Sequence, residues 1–167
     1  MKNKTRVGFG HDVHAFKPGR KLILGGVEIP YEKGLDGWSD ADVLIHAIMD
    51  ALLGAAALGD IGSHFPPGDP HYRNISSLIL LAEVKKLLDE SRWRIGNIDA
   101  MILAEQPKLK NYMTAMAGNI ATALALQTSD VSLKAGTNEK MGFVGRGEGI
   151  AVEAVALLES TEEADMG

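Results

Sequence analysis

The chain has 167 residues, which is long enough for one domain with a hydrophobic core. Hydrophobic residues make up 46% of it and charged residues 23%, as is usual for a soluble globular protein. The net charge of -5 argues against non-specific nucleic-acid binding, and the absence of cysteine excludes disulfides, thiolate metal ligands and a cysteine nucleophile. The polar, basic N-terminus predicts no signal peptide, and no apolar run is long enough for a bilayer. We therefore expect a cytoplasmic protein without nucleic-acid or membrane partners.

The N-terminal segment predicts β-structure. Residues 6–16 predict a strand whose glycines suggest a bulge or a close approach of another backbone. Asp12 and His14 are two positions apart, so on a strand they face the same side. Residues 21–30 predict a hairpin broken at their Gly-Gly pair, and residues 31–37 predict a loop.

The next segment predicts an apolar helix. A capping box formed by Ser39 and Asp42 predicts its start, and small and apolar residues continue to Leu58. Because so apolar a helix is expected to be buried, its charged groups need partners. Those groups lie on one face at a spacing of four residues: Asp42, His46 and Asp50.

The rest of the chain alternates helices and strands. The turn-rich residues 59–72 are expected to form a wall of a binding site. In order, there follow a helix at 76–91, a strand at 97–104, a helix beginning at Pro107, strands at 131–135 and 150–158, and a frayed acidic tail at 160–167. We expect a single domain over residues 1–167, of the α+β class, with four or five strands in a sheet and helices on one face.

The strongest chemical pattern is a possible metal site. Asp12 and His14 on the first strand could meet His46 on the buried helix, giving one carboxylate and two imidazoles. This donor set suits a catalytic zinc with an open fourth position, and it equally suits a non-haem iron. Asp50 or Asp42 could accept a hydrogen bond from the second nitrogen of a ligating histidine. The alternative is that these are ordinary hydrogen-bonded polar residues.

Three further segments carry groups that bind anions. The N-terminus of the apolar helix has backbone N–H groups and a dipole that favour phosphate. Residues 106–110 form a proline turn with two lysines. Residues 134–146 form a glycine-rich loop with phosphate- and metal-binding residue types, namely Thr137, Glu139, Lys140 and Arg146. The plainer interpretations are a capped helix, a helix start and a solvated loop.

Together these motifs resemble one family, the 2-C-methyl-D-erythritol 2,4-cyclodiphosphate synthases. The resemblance extends from about residue 6 to residue 159. It is carried by G-x-G-x-D-x-H, S-D-A-D-V-x-x-H-A, D-A-L-L-G-A-A-A-L-G-D-I-G, a Q-P-K turn and N-E-K-x-G-F-x-G-R-G-E-G. It implies a homotrimer of the non-mevalonate isoprenoid pathway with active sites between subunits. The implied substrate is the nucleotide-linked 4-diphosphocytidyl-2-C-methyl-D-erythritol 2-phosphate, whose 2-phosphate attacks the β-phosphate and releases CMP.

The resemblance also implies the metal-binding and catalytic residues. Zinc, one per subunit, is expected at Asp12, His14 and His46. A second divalent cation, magnesium or manganese, is expected near the diphosphate, where Glu139 helps to hold it. The implied catalytic residues are Ser39, Asp60, Thr137 and Glu139.

Substrate contacts follow from the same motifs. Asp60, with Ile61 and Gly62 beside it, is expected to bind the erythritol hydroxyls, and Ser39 with Trp38 the phosphate. Asp12 and His14 also belong to the implied substrate site. The cytidine is expected against Ala104, Lys108, Leu109, Lys110, Ala135, Gly136 and Thr137. The implied cavity at the three-fold axis is lined by Phe143, Arg146 and Glu148.

At three positions the chain departs from the family pattern. Trp38 stands where a histidine precedes S-D, His11 where an aromatic residue precedes D-x-H, and Gly136 where the first threonine of A-T-T is usual. We expect Trp38 to retain a backbone contact with the phosphate and to provide no imidazole.

The expected chemistry needs no side-chain base, because a phosphate with a second pKa of about 6 is already ionised near neutral pH. Positioning of two phosphates and neutralisation of their charge then carry the reaction. Two alternatives remain open at this stage. One is a zinc phosphohydrolase, and the other is a trimeric isoprenoid-binding module with a structural metal.

Overall fold

The computed structural model describes residues 4–161. Its strands and helices, in chain order, are β1 (Thr5–Pro18), β2 (Leu22–Leu24), β3 (Val27–Ile29), β4 (Lys33–Leu35), α1 (Val43–Ala56), α2 (Ile61–His64), α3 (Ser77–Glu90), β5 (Trp93–Leu103), α4 (Met113–Leu124), β6 (Val131–Gly136), α5 (Gly142–Gly145) and β7 (Gly149–Ser160). Short 3₁₀ turns occur at Pro70–Tyr72, Lys110–Tyr112 and Thr128–Asp130.

Five strands form a mixed sheet in the order β4-β1-β7-β5-β6, and β2 and β3 form a separate hairpin. Only the β5–β6 pair among these strands is parallel, and the chain between its two strands contains α4. The long antiparallel pairs of β7 with β1 and β5 form the centre of the sheet. The α+β class and the five-stranded sheet agree with the sequence-based prediction.

Helix α1 packs directly on the centre of the sheet. A Cβ atom added at Gly8 or Gly10 would lie 1.9 Å from the carbonyl oxygen of Ala51 or Ala47. The two glycines therefore let the helix backbone approach β1, as the sequence suggested. This contact brings the inward-facing side of β1 next to α1.

The opposite side of the same strands carries exposed apolar side chains. The alternation that turns Gly8 and Gly10 toward α1 turns Val7 and Phe9 away from it. In the described chain Val7 is 66% exposed and Phe9 is 61% exposed. Val13 and Val155 on the neighbouring positions are also exposed.

The first helix starts later than predicted. It begins at Val43, with Asp42 as the N-cap whose side chain accepts from the backbone N–H of Ile45. Ala41 has a left-handed backbone with φ of 57°, so regular helix cannot extend back to Ser39. The helix ends at Ala56, two residues before the predicted Leu58.

Other predicted boundaries also differ. The helix predicted from Pro107 starts at Met113, directly after the 3₁₀ segment Lys110–Tyr112. The loop predicted at 31–37 contains β4, and that at 59–72 contains α2. Ser160 belongs to β7 and Thr161 donates to the carbonyl of Arg92, so these two residues are not frayed; residues 162–167 of the predicted tail lie outside the described chain.

Candidate active site

Three polar side chains converge between β1 and α1. Asp12 Oδ2 lies 3.0 Å from His14 Nε2 and 3.0 Å from His46 Nδ1, and the two imidazole nitrogens are 3.1 Å apart. The period of two on β1 directs Asp12 and His14 to the same side, and α1 supplies His46 from above. The metal-ligand set predicted from the sequence is therefore brought together.

Hydrogen bonding leaves His14 able to coordinate a cation. Its Nδ1 lies 2.5 Å from the backbone carbonyl of Asp36. Because a carbonyl only accepts hydrogen bonds, Nδ1 carries a proton, which leaves Nε2, facing Asp12 and His46, as the atom that would coordinate a cation.

The spacing of these donor atoms suits a metal ion. Ligand atoms around a tetrahedral zinc lie about 3.3 Å apart, given bonds of about 2.0–2.1 Å. In the described chain, the one group of three or more metal-ligating side chains that lie close enough together to hold a metal ion consists of Asp12, His14 and His46. Their donors fit a divalent cation, and the chemistry of the set does not choose among zinc and its neighbours.

The acid–base state of the cluster also favours a cation. Burial alone would raise the pKa of Asp12, but the hydrogen bonds and charges of His14 and His46 outweigh burial and hold that pKa well below its ordinary value. Burial alone would lower the pKa of His14, yet the hydrogen bond and charge of Asp12 raise it. Without a metal, the site therefore retains a proton on imidazole beside an ionised carboxylate.

The predicted acceptors behind the histidines are wrong. Asp42 is fully buried and accepts instead from the backbone N–H groups of Gly25 and Gly26, at 3.0 and 2.7 Å. Asp50 accepts from the N–H of Ile61 at 2.8 Å. Both carboxylates bind backbone rather than imidazole.

The predicted phosphate site at the helix N-terminus is also wrong. The carboxylate of Asp42 already occupies that end of α1, and residues 41–45 are all buried. An anionic ligand therefore has no access to the N-terminal N–H groups of this helix.

A pocket of about 240 Å³ opens beside the three ligands. Of the residues predicted for the substrate site, Trp38, Ser39, Ile61 and Gly62 line it together with Asp12, His14 and His46. Asp60 caps the adjacent α2 and accepts from Ser63 N at 2.8 Å. The apolar part of its wall includes Phe65, Pro67 and Tyr72, which belong to the segment 59–72 that was expected to form a wall. It also includes Met49 and Leu80, which were not predicted.

A second pocket, of about 400 Å³, lies where β5 and β6 end. It gathers every residue that the sequence predicted for the cytidine: Ala104, Lys108, Leu109, Lys110, Ala135, Gly136 and Thr137. The residues converge because β5 and β6 are parallel, so that their carboxyl ends meet at one edge of the sheet.

The sequence comparisons identify the family. A model of the YgbB family matches residues 5–159. The chain belongs to the YgbB family. Curated relatives named 2-C-methyl-D-erythritol 2,4-cyclodiphosphate synthase include one from Chlorobium phaeobacteroides (strain DSM 266), 60% identical over 154 residues, which cover 92% of this chain and 98% of the relative. Another, from Dehalococcoides mccartyi (strain 195), is 58% identical with the same coverage. The resemblance drawn from the motifs is confirmed, and the chain is an enzyme of this family.

Solved structures agree with this YgbB-family assignment. The bifunctional IspDF from Campylobacter jejuni is 42% identical, with a TM-score of 0.92 over 96% of this chain, which spans 44% of that longer chain. IspF from Plasmodium falciparum, solved as a CDP complex, is 33% identical, with a TM-score of 0.84 over 97% of this chain and 100% of that chain.

Thr137 and Glu139 form a small hydrogen-bonded loop after β6 of this YgbB-family chain. The Thr137 hydroxyl donates to Glu139 Oε1 at 3.0 Å, and the Glu139 N–H donates to Thr137 Oγ1 at 3.3 Å. Both residues are exposed, and Glu139 and Lys140 have left-handed backbone conformations, with φ of 51° and 62°.

Glu105 supports that loop and was not predicted from the sequence. One carboxylate oxygen accepts from the N–H of Asn138 at 2.9 Å and from that of Lys140 at 3.2 Å. Its position two residues after the end of β5 is the signal that could have identified it, since polar residues at strand ends often line sites.

Trp38 is held by its own contacts at the rim of the first pocket. Its indole Nε1 donates to the carbonyl of Asp69 at 2.8 Å, and its carbonyl accepts from Asn74 N at 2.9 Å. The side chain therefore anchors the segment that follows α2.

The remaining predicted residues, Phe143 and Arg146, lie apart from both pockets. Phe143 is on α5 and is 40% exposed, and Arg146 Nε donates to Glu148 at 2.7 Å. No helix of the described chain is both long and apolar enough to span a membrane.

Proposed function

We propose that this enzyme converts 4-diphosphocytidyl-2-C-methyl-D-erythritol 2-phosphate to 2-C-methyl-D-erythritol 2,4-cyclodiphosphate, with release of CMP. The observation that carries the proposal is the pairing of a three-ligand metal cluster with a separate pocket at the ends of β5 and β6. The name of the curated relatives and the CDP complex of the Plasmodium falciparum protein support it.

Asp12, His14 and His46 would hold zinc, and Glu139 would help to hold magnesium or manganese near the diphosphate. These cations, when bound, neutralise the charge that develops during phosphoryl transfer. Exposed Glu139 carries a carboxylate oxygen that already contacts the Thr137 hydroxyl, so both groups are available at one edge of the second pocket.

The chain's own groups position the substrate. Ser39 Oγ accepts from the N–H of Ala41 at 3.2 Å and lines the first pocket, where its hydroxyl can donate to a phosphate oxygen. The Asp60 carboxylate, whose pKa is lowered chiefly by its hydrogen bonds from Ser63, remains ionised and can accept from the erythritol hydroxyls. Lys108 and Thr137 line the nucleotide side. The attacking 2-phosphate needs no protein base.

We further propose a homotrimer in which each active site lies between two subunits. The two pockets of one chain have no lining residue in common. A cyclic arrangement would let the metal pocket of one subunit face the nucleotide pocket of its neighbour. The exposed apolar side chains of Val7, Phe9, Val13 and Val155 offer a surface that such an assembly would cover. The cavity expected at Phe143 and Arg146 would then lie on the three-fold axis.

Product analysis tests the reaction. Zinc- and magnesium-loaded enzyme is expected to yield the cyclic diphosphate and CMP in equal amounts. Release of an opened phosphate would instead indicate a phosphohydrolase, which uses a metal-bound water as the nucleophile. The matched control is His46→Ala, which is expected to lose both stoichiometric zinc and turnover while remaining folded. Full zinc content in this variant would contradict the ligand assignment.

A further inference from the structure

A buried serine and an aspartate lie behind His46, on the side away from the metal ligands. Ser77 is the first residue of α3 and is fully buried, and its Oγ lies 3.0 Å from His46 Nε2. The same Oγ lies 2.5 Å from Asp40 Oδ1, and Asp40 Oδ2 accepts from the Ser77 N–H at 2.9 Å. Neither Asp40 nor Ser77 was among the site residues predicted from the sequence.

The donors and acceptors available to Asp40, Ser77 and His46 determine the direction of the hydrogen bonds between them. The Asp40 carboxylate only accepts, so the single hydroxyl hydrogen of Ser77 is donated to Asp40. Toward His46 the Ser77 oxygen can then only accept, so this contact requires a proton on Nε2. On the other side of the ring, Nδ1 lies 3.0 Å from Asp12 Oδ2, which also attracts a proton when no cation is bound. Ser39 Oγ, at 3.2 Å from Nε2, offers this N–H a second acceptor.

We propose that Asp40 and Ser77 are positioning residues that hold His46 as the Nε2–H tautomer, with its Nδ1 lone pair directed at the metal position. This inference rests on the proposed metal centre. In His14 a backbone carbonyl holds the proton on the nitrogen that faces away from the metal position. In His46 side chains do so, and substitution can remove them. A neutral imidazole with its proton on Nδ1 could not coordinate through that atom.

The surroundings make the pair rigid. Asp40 N donates to the carbonyl of Ile75, and Asp40 Oδ1 also accepts from the N–H of Asp42 at 3.2 Å. These bonds tie the segment before α1 to the segment before α3. Because Ser77 is fully buried, water does not compete for its hydroxyl.

Zinc affinity gives the first test, measured by competition with a chelator. Ser77→Ala is expected to weaken zinc binding by about 10- to 100-fold, the usual effect of losing an outer-shell partner. Ser76→Ala is the matched control, because the neighbouring Ser76 caps α3 without a side-chain hydrogen bond. Ser77→Thr keeps the hydroxyl and is expected to bind zinc nearly as tightly as the parent. Equal affinity in Ser77→Ala and Ser76→Ala would overturn the proposal.

Nitrogen NMR of the imidazoles gives a second test that does not depend on bound metal. In metal-free protein carrying Asp12→Ala and His14→Ala, which removes both groups that face Nδ1 of His46, the neutral imidazole is expected to carry its proton on Nε2. When Asp40→Ala is added, the Ser77 hydroxyl is released to donate to Nε2, so the Nδ1–H form is expected to become populated. A proton on Nδ1 of His46 while Asp40 and Ser77 are both present in this variant would overturn the proposal. Failure of the parent protein to bind any divalent cation would instead contradict the metal centre, and the tautomer measurement would still decide the role of the pair.

Discussion

The carboxylate of Glu105 accepts a hydrogen bond from the backbone N–H of Lys140, across 35 positions of the sequence. With its second bond, to Asn138, it joins the end of β5 to the loop that carries Thr137 and Glu139. Left-handed conformations of non-glycine residues cost about 1–3 kcal/mol each, so Glu139 and Lys140 need such support.

Glu105→Ala is expected to release this loop and lower kcat by about 10- to 100-fold, since catalytic groups held about 1 Å out of position can lose about that much. Glu105→Gln is the matched control, because its amide oxygen can accept both N–H groups. The measurement is steady-state kinetics with both variants at saturating magnesium. An equal loss in both variants would show that the negative charge, rather than the loop geometry, is required.

Trp38→His is expected to change kcat/KM by less than about tenfold, because loss of one neutral hydrogen bond costs only about 1 kcal/mol. The bond concerned joins the indole to the carbonyl of Asp69, while the phosphate contact at this position is expected from backbone and Ser39. Trp38→Phe keeps an aromatic ring without the N–H and separates the two effects. A loss as large as that of His46→Ala would show that the indole itself is essential.

The metal-free protein is expected to lose stability on both sides of a pH window. The pKa of Asp12 is lower in the folded chain than its ordinary 3.8, so the unfolded chain binds more protons there and stability is lost as the pH falls below that value. The pKa of His14 is raised above 6.5, so its contribution is complete below 6.5 and is lost as the pH rises through the folded value.

Thermal melting with a chelator present, compared with Asp12→Asn, measures this effect. The melting temperature of the parent protein is expected to exceed that of the variant by the largest amount between pH 3.8 and 6.5. Zinc should abolish the alkaline decline, because it replaces the imidazole proton. A difference in melting temperature between parent and variant that does not change with pH would contradict the pKa shifts of Asp12 and His14.

Subunit mixing tests the shared active site. Asp12→Ala removes a metal ligand and Lys108→Glu alters the nucleotide pocket, so each homotrimer is expected to be inactive. Refolding equal amounts together should restore about a quarter of the parent activity. A site is intact when a Lys108→Glu chain supplies its metal ligands and an Asp12→Ala chain supplies its nucleotide pocket. Mixed trimers that native mass spectrometry detects but that stay inactive would rule out a site between subunits.

Several features followed from local sequence alone. The period of two set Asp12 and His14 on one side of β1, and the helical repeat predicted α3 within one residue at each end. The Gly25–Gly26 pair marked the hairpin of β2 and β3. Each of these depends on backbone period or turn preference, which neighbouring residues report.

Tertiary structure decided the partners of the polar side chains. No local pattern indicated that Asp42 would bind Gly25 and Gly26, or that His46 would contact Ser77 rather than Asp50. These contacts join residues 16 to 31 positions apart, so no local period encodes them. A buried polar group takes whichever complementary partner the packing of the elements brings within reach, and that choice exists only once the chain is folded.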